Sequence, residues 1–373
     1  MTVAGPTIPL VDLQAAHGEV ADEIARGFGQ VLANGTFIKG RDVAEFEREF
    51  ASFSGIKHCV AVANGTDALE LALRAADVPP EAEVIVPANT FAATAEAVVR
   101  AGARPVFADV DPDHLLLDPP SVIHAMNANT AAIVPVHLFG QLAPMKKLSD
   151  IASKQRVAII EDAAQAHGAY QAGAPTGSFG HAAATSFYPG KNLGAYGDAG
   201  AVVTNSAALA RRVRLLGDHG SEQKYSHTEF GFNSRMDSLQ AVVLRAKLSR
   251  LADWNKRRGR AAEYYYELLA EMEDVVLPRT APGNLHVWHL YVVQVPRRDH
   301  VLEELHKRGI LAGIHYPVPL HLQPAFRNQG YARGDFPVAE AAANRILSLP
   351  LHPHITREQQ CTVTGALRAA LQR

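Results

Sequence analysis

Short apolar runs alternate along most of this chain with longer stretches of mixed polarity. Seven runs carry β-type residues: Cys59–Ala63, Val84–Pro87, Pro105–Ala108, Ala131–Val136, Val157–Ile160, Ala183–Phe187 and Ala201–Thr204. Between them, apolar residues recur at helical spacing. Residues 17–33 and 42–53 read as helices, the second with Phe46 and Phe50 set among Glu45, Glu47 and Glu49. Strands that are apolar throughout need cover on both faces, the condition of a mostly parallel sheet flanked by helices. The pattern therefore predicts an α/β fold.

The character changes in the last third. Ser238 to about Leu269 reads as one long helix rich in Ala, Leu, Arg and Lys. A strand Leu290–Val295, a helix near His300–Arg308 and a proline- and histidine-rich stretch Ile310–Leu322 follow. A boundary within or just after the long helix divides the chain into a large domain, 1–250, and a smaller C-terminal α/β domain, 251–373.

Composition narrows the function classes. A chain of 373 residues with 47% hydrophobic content can bury a substantial core. Its 36 basic and 38 acidic residues give no overall pull toward nucleic acid or a membrane surface, so any anion site must be local. Cys59 and Cys361 are too few and too far apart for a disulfide framework or a zinc site. The first 25 residues hold no Lys or Arg, and no run approaches the roughly 18 apolar residues of a membrane helix. The expectation is a soluble, cytoplasmic protein.

In an open α/β sheet, ligands collect beyond the carboxyl ends of the strands. That rule selects Asn64-Gly65-Thr66-Asp67, Asn89-Thr90-Phe91, His137, Asp162 with Gln165, and Ser186 through Lys191. Gly65 and Thr66 open a predicted helix, Asp67–Ala75, where a glycine and free N–H groups suit a phosphate; a plain helix cap reads the same way. Asp162 ends a strongly apolar run, and a buried carboxylate needs a cationic or hydrogen-bonding partner such as a protonated pyridine nitrogen. Gln165 could reach a phenolic ring oxygen from the same helix start, although Asp162 could also merely cap an Ala-rich helix. Lys191 lies among glycines after a strand, where its amine can form an imine with an aldehyde cofactor and shuttle protons; a lone Gly-Lys-Asn could equally be a surface loop. Ser186 could bond a phosphate, and Tyr188 could orient the lysine or a substrate.

Taken in order, Asn-Gly-Thr-Asp-Ala-Leu, Pro-Ala-Asn-Thr-Phe-Ala-Ala-Thr-Ala, Glu-Asp-Ala-Ala-Gln-Ala-His-Gly, Ser-Phe-Tyr-Pro-Gly-Lys-Asn-Leu-Gly, Gly231-Phe-Asn-Ser-Arg-Met-Asp237 and Gly313-Ile-His-Tyr-Pro-Val-Pro-Leu-His-Leu-Gln323 resemble the DegT/DnrJ/EryC1/StrS sugar aminotransferases. The likeness runs from about Pro9 to near the C-terminus. It implies the aspartate-aminotransferase architecture, the pyridoxal-phosphate-dependent transferase fold type I. It also implies pyridoxal 5′-phosphate as cofactor, with pyridoxamine 5′-phosphate as its aminated form. By that resemblance Lys191 is the imine lysine, Asp162 the partner of the pyridine nitrogen and Gln165 the group near the ring oxygen. Gly65, Thr66 and Ser186 correspond to phosphate contacts, and Phe91 to the aromatic stacked on the ring. Asn233 corresponds to a residue that reaches the phosphate from a neighbouring subunit, which implies a homodimer with shared active sites. A branch with histidine in place of the lysine dehydrates its sugar, so Lys191 points to amino transfer.

On the substrate side, Lys224 and Tyr225 offer charge and a hydroxyl suited to a diphosphate. His315, Tyr316 and His321 lie on the Pro-rich loop that approaches the sugar in resembling enzymes, with His315 a catalytic acid or a group that positions a sugar hydroxyl. The loop looks most like those of enzymes that aminate C-3 of dTDP-linked keto-6-deoxyhexoses, with L-glutamate as donor; a 4-keto substrate, a dehydratase or lyase of the same fold, and a cofactor-binding regulator are the alternatives. Asp109-Val-Asp111-Pro-Asp113 departs from a calcium loop at His114 and Pro120, and the histidines lack ligand spacing, so no metal is expected.

Overall fold

A computed structural model describes residues 7–223 and 225–372. All seven apolar runs form strands of one sheet. From edge to edge the strands are His58–Val62, Gly200–Thr204, Ala182–Ser186, Ala158–Asp162, Thr130–Ile133, Glu83–Pro87 and Arg104–Ala108. Gly200–Thr204 is antiparallel to both neighbours, and the other pairings are parallel. The remaining carboxyl ends therefore open on one side, where Asn64, Phe91, Asp162 and Ser186 follow or end their strands.

Two strands differ from the pattern in informative ways. The run Ala131–Val136 stops as a strand at Ile133, because Pro135 has no N–H to offer the ladder. The run Val157–Ile160 continues instead to Asp162 and carries two buried acids at its end. Glu161 is tolerated there because it accepts from the amides of Gly177, Phe179 and Gly180 and from His137 Nε2 at 2.9 Å. After Asp162, Ala163–Ala169 does not begin a helix as expected: Ala166 and Ala169 make successive i→i+3 turns, and Gly168 takes φ +83°. Asp162 is thus not a helix cap.

The helix Ser238–Leu269 runs 32 residues, about 48 Å at a rise of 1.5 Å per residue. Its first part, with Ala241, Leu244, Leu248 and Leu251, packs into a core containing Phe46, Phe50 and Phe187. Its last part, with Ala262, Tyr265 and Leu269, packs against Tyr291, Val293 and Leu367. That second core is built on the antiparallel pair Tyr291–Gln294 and Ile346–Leu349, with helices Arg298–Lys307 and Arg357–Leu371. Ile8 joins this second core and bridges Ile310, so the lead segment packs with the C-terminal part and not with the sheet it precedes. No helix is long and apolar enough to cross a membrane among the described residues.

Candidate active site

A cavity of about 760 Å³ opens at the carboxyl ends of the strands and brings Gly65, Thr66, Phe91, Asp162, Gln165, Ser186, Tyr188, Lys191, His315 and Tyr316 to one place. Lys191 stands on the loop between strands Ala182–Ser186 and Gly200–Thr204. Phe187 anchors the start of that loop, fully buried against Phe46 and Phe50. Gly194 closes it: a Cβ there would lie 2.2 Å from the Pro189 carbonyl oxygen, so no larger residue fits. Lys247 Nζ donates to the Gly194 carbonyl at 2.7 Å and ties the loop to the long helix. Burial brings the Lys191 pKa down from 10.5 to about 8, opposed by the charge of Asp162.

Asp162 faces the same cavity from the strand end. It accepts from Thr94 Oγ1 at 2.8 Å and from the Ala164 amide at 3.2 Å. Thr90 lies 3.0 Å from Thr94 Oγ1; with the Thr94 hydrogen committed to the acid, the Thr90 hydroxyl is the donor of that pair. Burial raises the carboxyl above its usual range, against those hydrogen bonds and the charges of Lys191 and His137. Among the described residues no Lys or Arg is ion-paired to it. A buried carboxylate held in place without a counter-ion is a fit for a cation supplied from outside the chain.

The opposite end of the cavity suits an anion. Asn64 caps the helix Gly65–Ala75 by accepting from the Asp67 amide at 2.8 Å, which leaves the Gly65 and Thr66 N–H groups at the mouth. A Cβ on Gly65 would sit 2.5 Å from Ser186 Cβ, so glycine is what lets helix and strand end meet. Ser186 Oγ accepts from the Tyr188 amide at 3.3 Å and keeps its own hydrogen to donate. The mouth bears exposed aromatic side chains, Phe91 and Tyr188.

Gln165 is oriented by its neighbours. Its Oε1 accepts from the Phe139 amide at 2.6 Å, so its Nε2 is left to donate to Tyr316 Oη at 3.2 Å. Tyr316 packs 5.4 Å from the Phe91 ring. His315 Nδ1 lies 2.8 Å from Ser348 Oγ, and burial together with the charge of Lys191 brings its pKa down to about 4.

Three of the expected residues that the structure describes fall outside the cavity. His321, expected near the sugar, is instead buried: its Nε2 lies 3.0 Å from Glu340 Oε1 and its ring packs on Phe336, so it braces the start of the helix Pro337–Ala343. Asn233 is exposed and bridges Asp218, next to Ser234, whose hydroxyl donates to Asp67 Oδ2 at 2.8 Å. Tyr225 is 85% exposed on a separate cleft lined by Lys39, Arg211 and Arg235. Lys224 lies outside the described residues. The acidic stretch at Asp109 is spent on the backbone: Asp109 accepts from Val338 and Ala339, and Asp111 from Asp113, His114 and Leu116.

The sequence model of the DegT/DnrJ/EryC1/StrS aminotransferase family matches residues 19–368. The chain belongs to this family. A relative from Saccharopolyspora erythraea, named erythromycin biosynthesis sensory transduction protein EryC1, is 47% identical over 97% of this chain and 99% of its own. A dTDP-3-amino-3,4,6-trideoxy-alpha-D-glucose transaminase from Streptomyces venezuelae is 45% identical over 99% of this chain and 97% of its own. The crystal structure of DesV from S. venezuelae, in complex with a ketimine intermediate, superposes with a TM-score of 0.96 at 45% identity, covering 99% of this chain and 100% of that one.

Within this aminotransferase, several residues that shape the cavity escaped the sequence reading. Thr94 stands three residues after Phe91 in a quoted motif, and helical spacing could have placed it beside Asp162. His289 and Asn192 had no local signal, because their contact joins segments 97 residues apart. The depressed pKa of Lys191 has a direct consequence. At pH 7.5 an ordinary lysine is neutral about once in a thousand, whereas a pKa near 8 leaves roughly one in four neutral. Covalent capture of pyridoxal 5′-phosphate by the stripped protein should therefore rise with pH through a midpoint about 8. Absorbance stopped-flow across pH 6 to 11 reads this directly, and a midpoint at the ordinary lysine value would refute the buried, reactive amine.

Proposed function

We propose that this chain is a pyridoxal-phosphate-dependent aminotransferase that moves an amino group from L-glutamate to C-3 of a dTDP-linked 3-keto-6-deoxyhexose. The observation that carries the reading is the single cavity joining a reactive lysine, an unpaired buried carboxylate and a phosphate-type helix mouth. Family membership and the names of the relatives support the substrate class.

Pyridoxal phosphate, when bound, supplies an aldehyde that takes up the amino group and a ring that draws off electrons as a C–H bond breaks. The chain's own groups do the rest. Lys191 would hold the aldehyde carbon, and its free amine would carry the proton between the two carbons involved. Asp162, kept in place by Thr94 and Ala164, would hold a proton on the ring nitrogen. Gly65, Thr66 and Ser186 would receive the phosphate, with Phe91 over the ring and Gln165 near its oxygen. Tyr188, His315 and Tyr316 line the side open to substrate. His315 is neutral at working pH, which suits it to position a hydroxyl.

The site is proposed to be completed by a second copy of the chain. Tyr225, Phe230 and Asn233 are exposed on one segment, Phe230 fully, as expected of a surface a partner covers. Lys191→Ala should abolish turnover, and Asn233→Ala should weaken cofactor binding and lower activity severely. Mixed and refolded together, the two variants should regain about a quarter of wild-type activity, because half the dimers then carry one intact site. No recovery on mixing would contradict shared sites.

The substrate assignment is tested by supplying the aminated protein with a panel of dTDP- and UDP-linked 3-keto and 4-keto sugars. Products identified by mass spectrometry and NMR should carry the new amine at C-3 of a dTDP-linked 6-deoxyhexose. Exclusive C-4 amination, or loss of water without amination, would replace this reading with one of its rivals.

A further inference from the structure

His289 lines the cavity that holds Lys191, yet the chemistry above leaves it without a task. Its protonation state can be worked out from its neighbours. Asn192, the residue after Lys191, donates through Nδ2 to the Val287 carbonyl at 3.0 Å and to Asn255 Oδ1 at 3.0 Å. A carbonyl can only accept, so the Asn192 amide cannot be turned round. Asn255 is fixed in the same way, since its own Nδ2 donates to the His167 carbonyl at 2.8 Å. The remaining atom of Asn192, Oδ1, is an acceptor and lies 3.1 Å from His289 Nδ1. His289 must therefore carry its hydrogen on Nδ1, which leaves Nε2 as a bare lone pair.

That lone pair has no hydrogen-bond partner among the described residues, and it is not sealed into the interior. It opens on the cavity. Lys191 and Arg100 are the cationic side chains that line the cavity, and Arg100 is committed to Asp67 and Glu70. Lys191 Nζ makes no hydrogen bond or ion pair among the described residues, although the charge of Asp162 acts on it. We propose that His289 holds the displaced amine of Lys191 through its Nε2 lone pair, with Asn192 fixing the tautomer that makes this possible.

The arrangement suits a lysine that is released and recaptured in each half of an amino transfer, and it rests on Lys191 being the cofactor lysine. An acceptor placed here must steady the ammonium without taking its proton. His289 meets that need, because burial, and then the positive charges of Lys191 and Arg258, hold its basicity well below that of an ordinary histidine. Asp162 is the opposing charge on Lys191 itself. In this role His289 and Asn192 are positioning residues.

The test compares wild-type protein with His289→Leu and His289→Gln, each full length and stripped of cofactor. Pyridoxal 5′-phosphate is added across a pH series, each capture forming one C=N bond as one water leaves. Borohydride then fixes the adduct, and peptide mass mapping locates it. Leucine removes the acceptor, so the ammonium is less stable and the capture midpoint should fall by about half a pH unit or more. Glutamine can return an oxygen to the place of Nε2 and should restore the wild-type midpoint. Equal midpoints in wild type and His289→Leu, or a fall in His289→Gln as large as in His289→Leu, would overturn the proposal. Failure to label Lys191 in wild type would instead sink the reading on which the proposal rests. If the variants do not fold, ¹⁵N-histidine-labelled wild-type protein still decides: His289 should show a protonated Nδ1 and a bare Nε2, and the opposite tautomer would overturn the assignment.

Discussion

An amine and a carboxylate are buried in one cavity without being ion-paired to each other, and much of the structure serves to keep them so. Lys191 loses basicity through burial, and Asp162 gains it for the same reason. Direct pairing would relieve both costs and leave neither group available. The loop closed by Gly194 and Lys247 holds the lysine back, while Thr94, on a helix from a different crossover, fixes the acid. The separation is an architectural achievement of the sheet, whose strand ends present the two groups from adjacent strands.

The long helix has a matching role at larger scale. One end packs beneath the lysine loop, and the other belongs to the core of the C-terminal part. Arg258, midway, donates to the carbonyls of Trp288 and Leu351 at 3.3 and 2.9 Å. Asn255, one residue-face away, ties into Asn192 and His167. The cavity wall made by His289, His315 and Tyr316 is thus braced against the strand ends by buried hydrogen bonds rather than by apolar contact alone.

Much of this was legible along the chain, for definite reasons. All seven central strands could be read because burial on both faces demands unbroken apolar runs. The strand-end rule then found Gly65, Thr66, Phe91, Asp162, Gln165, Ser186 and Lys191, which the structure gathers in one cavity. What could not be read depends on three-dimensional neighbours. The antiparallel course of Gly200–Thr204 leaves no mark in its composition. The turns after Asp162 look like a helix in an Ala-rich segment until Gly168 takes positive φ. His321 looks like His315 in a proline-rich loop, and only the packing of Phe336 and Glu340 separates the brace from the cavity residue. His289 and Asn192 are ordinary letters until the fold joins them.

The central claim is that this cavity transfers an amino group to a nucleotide-linked keto-sugar. It is tested most directly by following the nitrogen. The protein, loaded with cofactor, is given L-glutamate labelled with ¹⁵N and a dTDP-linked 3-keto-6-deoxyhexose, and the sugar product is examined by mass spectrometry and NMR. The account predicts stoichiometric ¹⁵N on C-3 of the sugar, with 2-oxoglutarate formed in equal amount. A sugar product that has lost water or gained no ¹⁵N would contradict it.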